Sequence, residues 1–317
     1  MKTSFFPSLP EELQGIVFVD LRNDYAFKMV FGTPGNEDLL LHLVQTILPD
    51  KRIISVALFP QEQVGLRPNA RKSAIDVKCQ TNDGSTFIIE MQIRKQNDFS
   101  DRMVFYSSFP IVNELRKGES NSFRLTPLYM VGITDFIIPE IPANDDLINH
   151  YTIRNVKDNG LQFTDSIHYI TVELPKLKKS LAEVKNTPEW VLYTIRNIGE
   201  MKEMPQEYVG SYLEKIFELT KFAAMSEADQ WEILARFMKE RDELSQMRTA
   251  QEDARAAGLA EGRTEGLAEG RAEGRAENQR DTARRMLSDG MDPELVAKYS
   301  LLTVEEVRQL SVTPADK

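Results

Sequence analysis

Residues 75–93 read IDVKCQTNDGSTFIIEMQI, two apolar runs around Asn82-Asp83-Gly84, with an acid in the middle of each run. Side chains alternate along a strand. In the second run Phe87, Ile89, Met91 and Ile93 share one face, and Ile88, Glu90 and Gln92 share the other. In the first, Ile75, Val77 and Cys79 share a face opposite Asp76 and Lys78. Burying both apolar faces on one side of a hairpin requires paired positions to sum to an even number, closed by an odd-length loop. That register brings Asp76 opposite or diagonal to Glu90, and a one-residue slip would break it.

Two ionised carboxylates this close repel, since directly opposed Cβ atoms lie about 4.5–5.5 Å apart. A divalent cation removes the conflict, because Mg²⁺ takes one or two carboxylates together with water and phosphate oxygens. Gln92 does not titrate, but its amide can orient a metal-bound water, and Lys78 offers positive charge on the same face. The pattern also fits a solvated polar face of an antiparallel sheet, where such residues carry no chemistry.

On the N-terminal side, DYAFKMVFG and NEDLLLHLVQTIL read as helical segments broken by Gly32, Pro34 and Gly35, the second with Leu40, Leu43, Val44 and Ile47 on one face. On the C-terminal side, SDRMVFYSSFPIVNELRKG predicts a helix ending at Gly118, with Pro110 able to kink or interrupt it. LTPLYMVGITDFII and SIHYITVELPKL read as strands. This order predicts an α/β or α+β domain over residues 1–178. Residues 179–247 read as a helical extension with Trp190, Leu192, Ile195, Tyr212, Ile216 and Leu219 as core.

Residues 248–280 change character. ARAAGLAEGRTEGLAEGRAEGRAEN repeats every four residues, with Gly at 258, 262, 266, 270 and 274 and Glu three positions after each. On a helix the Glu and Arg stripes fall on nearly opposite sides, so they do not pair within one chain. Each interior Gly also costs up to about 1 kcal/mol relative to Ala. The segment therefore reads either as a solvated linker or as a helix whose small-residue stripe lets another copy approach closely. In residues 281–317, Asp292-Pro293 predicts a capped helix start and Thr303-Val-Glu-Glu306 a capping box, giving a small helix-turn-helix-like tail. Its mixed charges favour a packing or partner module over a DNA reader.

The 317 residues carry a formal net charge of −10, so nucleic-acid binding has to be local or bridged by metal. Cys79 is the lone cysteine, which excludes an intrachain disulfide, and its position among Ile75 and Val77 predicts a buried hydrophobe. No run reaches the roughly 20 apolar residues of a membrane span. A cytoplasmic protein is expected. His42, His150 and His168 show no ligand spacing and receive no metal role.

Asp76, thirteen residues, then Glu90-Met91-Gln92 resembles the PD-(D/E)XK nuclease core. DYAFKMVFG, IEMQ, DRMVFYSS, ELRKG and VELPKL in this order, with the Gly-Glu-Arg repeats and the tail GMDPELVAKYSLLTVEEV, resemble the recombination-promoting nuclease and transposase family (Rpn type). The resemblance implies a restriction-endonuclease-like core, a mixed sheet flanked by helices, and Mg²⁺-dependent hydrolysis of DNA phosphodiesters that promotes recombination. It implies that Asp76, Glu90 and the backbone carbonyl of Met91 hold the cation. Asp24 matches the family's early acid, with a water-mediated contact implied; a first-turn capping or dipole role fits it equally. Gln92 stands where the superfamily places lysine. Arg94, Lys95 and Arg102, followed by Arg116, Lys117 and Arg124, form a candidate DNA-backbone contact, and Tyr106 fits either the site's flank or the core. Partners expected are DNA and, through the C-terminal helices, further copies of the chain. The alternatives are a non-catalytic nucleic-acid-binding oligomer and a strand-transferring transposase.

Overall fold

The computed structural model describes residues 15–59, 76–95, 97–117 and 125–312, without the side chains of 115–117, 240 and 311–312. Ile75, Gly118 and Arg124, and the side chains of Arg116 and Lys117, lie outside the described residues. Two short helices come first. In α1 (Asp24–Phe31) the Asn23 side chain accepts from the backbone N–H groups of Tyr25 and Ala26, and Gly32 closes the helix. In α2 (Glu37–Ile47) the predicted apolar face, Leu40, Leu43, Val44 and Ile47, is buried.

The hairpin forms as its burial pattern dictates. Strand β2 (Val77–Thr81) pairs antiparallel with β3 (Thr86–Gln92), Val77 opposite Ile89 and Cys79 opposite Phe87. Paired numbers sum to an even value, and the Asn82-Asp83-Gly84 loop closes on a Thr81–Ser85 backbone bond with Gly84 at φ 86°. A positive φ there suits glycine, which has no Cβ to clash. Cys79 is buried as expected, and burial pushes its thiol pKa up to about 12. The other face of β3 is covered too. Ile88 packs with Phe99 and Met103 of α3 (Phe99–Lys117), a continuous helix despite Pro110.

The chain then enters β4 (Leu128–Thr134), buried along its whole length and parallel to β3. A buried parallel strand reads as an unbroken apolar run, which is why LYMVGIT was legible. Strand β6 (Ile167–Glu173) lies parallel to β4, and two strands extend the sheet beyond the sequence reading. They are β1 (Val56–Leu58), three residues on β2, and β5 (Ile148–Thr152), an edge strand on β6. The order β1-β2-β3-β4-β6-β5 is a mixed six-stranded sheet flanked by helices.

Gly132 of β4 stands beside Glu90 of β3, under α3. A Cβ on it would lie 2.5 Å from the Phe99 ring and 3.0 Å from the Met103 sulfur. Gly132→Ala is expected to lower stability by about 1–3 kcal/mol through overpacking. An unchanged urea midpoint would refute such tight packing of α3 on β4.

Two compact units result, Met1–Ala235 and Arg236–Lys317. The first includes α4 (Leu181–Val184), α5 (Trp190–Asn197) and α6 (Glu214–Thr220). Trp190, Leu192, Ile195 and Ile216 are buried, but Tyr212 and Leu219 are only partly so, and Leu213 and Phe217 fill the core in their place. The repeats lie within one helix, α7 (Glu227–Ser288, 62 residues), and are exposed nearly throughout. A Cβ added at Gly258, 262, 266, 270 or 274 would meet nothing within 4 Å. In the second unit α8 (Pro293–Ser300) and α9 (Val304–Val312) start as the sequence indicated. Asp292 caps the N–H of Glu294 at 2.9 Å, and Thr303 and Glu306 exchange capping-box bonds. Val296, Ala297 and Val307 close a small core with Ala283.

Candidate active site

The site is built at the carboxyl ends of the parallel strands β3 and β4, where open α/β sheets present ligand-binding crevices. Asp76 immediately precedes β2, and extending the hairpin register by one pair sets it across from Glu90. Its carboxylate is buried. Oδ2 accepts the backbone N–H of Met91 at 2.8 Å, and Oδ1 pairs with the ammonium of Lys28 at 2.9 Å. Lys28 comes from α1, whose first-turn Asp24 lies four residues earlier on the same side of the helix.

Glu90 is half-buried as a residue, but its Oε1 is shielded from solvent and has no hydrogen-bond partner. Burial, and then the charge of Asp76, raises its pKa well above the ordinary glutamate value; Lys28 and Arg102 oppose that rise. Asp76 is raised as well, by burial, but Lys28 and the Met91 N–H act against it, and Asp24 adds a smaller upward push. The negative charge of the pair therefore settles first on Asp76, and Glu90 holds its proton longer. Asp76 acts on Glu90 from across the hairpin, in keeping with the register that sets the two acids opposite each other.

The end of β3 is anchored to the approach to α1. The carbonyl of Gln92 accepts from the N–H of Asp135 at 3.0 Å. The Asp135 carboxylate pairs with Arg22 at 3.0 Å, and Arg22 also grips Asp20 at 2.7 Å. Arg22 directly precedes the Asn23 cap, so this ion network ties the start of α1 to the strand that carries Glu90.

The remaining sequence candidates distribute unevenly. The Gln92 side chain is half-buried at the strand end. Arg94 is half-buried and Lys95 exposed just beyond β3. Arg102 on α3 is close enough to act on Glu90, and Tyr106 positions it: Arg102 Nη2 donates to the Tyr106 hydroxyl at 3.2 Å and the guanidinium lies 5.3 Å from the ring centre. Lys78 does not supply the charge the sequence assigned to it. Its ammonium sits 5.0 Å from the Phe59 ring centre, because two residues along a strand move it about 6.6 Å from Asp76. Lys28 is the cation the sequence reading missed; its one local signal is the four-residue spacing from Asp24.

His42 stacks on Tyr212, while His150 and His168 bond to each other at 2.9 Å, far along the strands from Glu90. Among the described residues no group of three or more His, Cys, Asp or Glu is arranged to hold a metal. The donor set for a cation is thus the Asp76–Glu90 pair plus backbone oxygen and solvent. It fits a hard divalent ion by chemistry: oxygen donors, excess negative charge, and an inward carboxylate oxygen with no protein partner.

A family model described as PD-(D/E)XK nuclease family transposase matches residues 21–250, which include every residue of this site. No curated protein and no solved structure matches the chain. No described helix is long and apolar enough to cross a membrane.

Proposed function

From the premise that the chain belongs to the PD-(D/E)XK nuclease family transposases, we propose that it is a Mg²⁺-dependent DNA endonuclease whose breaks feed recombination, acting in the cytoplasm. The observation that carries this reading is the pair of acids Asp76 and Glu90, set across from each other at the carboxyl end of β3, with Glu90 Oε1 shielded from solvent and without a protein partner. Asp76, Glu90 and the Met91 carbonyl would hold the cation, which supplies charge neutralisation at the phosphate and a more acidic water. Asp76 is held in place by Met91 N–H and Lys28 and keeps its orientation before any ligand arrives. The Gln92 amide orients a water without exchanging a proton with it. Asp24 contributes through its field at Asp76, with a water-mediated contact to the ion as its proposed role. Arg94, Lys95 and Arg102 face the DNA backbone as a local basic strip on an acidic protein.

The deciding measurement is plasmid nicking across a metal series. Activity with Mg²⁺ or Mn²⁺ that is lost on chelation supports hydrolysis. Binding of DNA without turnover, with or without metal, would instead favour a non-catalytic role, which the neutral Gln92 makes the natural second reading. Joined products in a transfer assay would assign the strand-transfer chemistry named in the family's description.

We further propose that the exposed small-residue stripes of α7, Gly on one side and Ala on nearly the opposite side, mediate self-association. Truncation after Met247 is expected to lower the mass measured by light scattering to that of a smaller oligomer or a monomer. An unchanged number of subunits would make the repeat a spacer.

A further inference from the structure

We propose that Lys28 is the lysine of this active site, delivered from α1 to the acidic pair in place of the strand position that Gln92 fills. The inference deepens the nuclease reading and rests on it. Gln92 carries no charge, and among the described residues the other lysines close in sequence to the pair stand elsewhere: Lys78 lies over Phe59 and Lys95 is exposed beyond β3. Lys28 instead makes a direct ion pair with Asp76, and the two side chains are only 15% and 6% exposed. Its charge favours the ionised form of both Asp76 and Glu90.

The placement is built, not incidental. Ala26, Phe27, Val30 and Phe31 bury one face of α1, and the Tyr25 hydroxyl donates to Asp229 at 2.6 Å, which fixes the helix's rotation. The Lys28 carbonyl accepts the Gly32 N–H at 2.7 Å, where the helix ends. The Arg22–Asp135–Gln92 chain of contacts holds the same helix to the end of β3. A lysine so mounted has two roles. Without metal it is the counter-ion that lets two buried acids coexist. With metal it yields part of Asp76, and its remaining donors are available to a phosphate oxygen or water. Lys28 thus acts through Asp76 as a positioning residue, competing with the cation for that carboxylate while supporting turnover.

Competition and support predict opposite signs in two measurements. In Lys28→Met, Mn²⁺ affinity by calorimetry is expected to rise several-fold, because a competing cation is gone. The kcat for nicking is expected to fall roughly 100-fold with little change in KM for DNA. Lys28→Gln combined with Gln92→Lys moves the charge to the strand and is expected to regain at least about tenfold over Lys28→Gln alone. If the methionine variant does not fold, Lys28→Gln carries the same affinity and kcat comparison, with the same expected signs. Weaker Mn²⁺ binding together with reduced kcat and no recovery in the swap would mean that Lys28 only braces the fold, overturning the proposal. Unchanged kcat and affinity would overturn it as well. If the wild type binds Mn²⁺ but does not cleave, the nuclease reading fails, and the affinity comparison alone still decides whether Lys28 competes for Asp76.

Discussion

Asp76→Asn is expected to abolish Mg²⁺-dependent nicking, with a loss of at least about 100-fold, and to lose less stability than Asp76→Ala. Both strip Lys28 of its ionic partner, but only alanine also removes the acceptor of the Met91 N–H. The activity loss follows from the donor chemistry. A carboxylate that binds a hard cation is replaced by a neutral amide, and even residues that merely orient metal ligands are worth about 10–100-fold. The amide oxygen still accepts the Met91 N–H that now bonds at 2.8 Å, so the local backbone keeps its partner. Asp76→Ala removes that acceptor and the Lys28 partner together. Breaking a buried ion pair from one side costs about 3–5 kcal/mol, so the alanine variant is expected to lose stability as well as activity. Plasmid nicking paired with thermal unfolding separates the two effects. Residual cleavage by the asparagine variant within about tenfold of wild type would remove Asp76 from the metal set.

The contrast between legible and hidden parts of this site follows from the range of the forces involved. The hairpin register was readable because burial of Val77, Cys79, Phe87 and Ile89 admits one parity, and that parity carries Asp76 to Glu90. The caps at Asp292 and Thr303 were readable because they are bonds within three residues. Lys28 was not, since its partner is remote in sequence and an ion pair between a helix and a strand leaves no periodic trace. Lys78 was misassigned for the complementary reason: alternation gives the face of a side chain, but not where a long flexible one comes to rest, and the Phe59 ring drew it away. The strands β1 and β5 escaped because one has three residues and the other is an edge with mixed exposure, so neither shows a clean alternation. The helical state of the glycine repeats went against local propensity, which favours that state weakly at best.

Glu90 gives the second large effect, on stability rather than rate. Its folded-state pKa lies above the ordinary value because of burial first and Asp76 second. A carboxyl group raised in this way stabilises the fold fully below its unfolded pKa, and that contribution is lost as pH rises through the folded value. Metal-free protein therefore loses stability from this group as pH rises above the ordinary glutamate range. Asp76, also raised, contributes with the same sign. His42, His150 and His168 have pKa values lowered first by desolvation and act oppositely, gaining stability as pH rises, so the wild-type profile alone mixes the two. The carboxylates held low, such as Asp38 and Asp229, change only at more acidic pH. Comparison with Glu90→Gln isolates the group. The glutamine variant should unfold at a higher temperature than wild type at pH 8 without metal, and the gap should close toward pH 5. Added Mg²⁺ should reverse the order, since ligand at about 100 times its Kd stabilises wild type by about 2.7 kcal/mol and the variant binds it more weakly. Proton release on metal binding to the wild type, absent in the variant, is the accompanying calorimetric sign. A gap that stays constant with pH, or equal stabilisation of both proteins by Mg²⁺, would show that Glu90 neither holds a strained proton nor meets the ion.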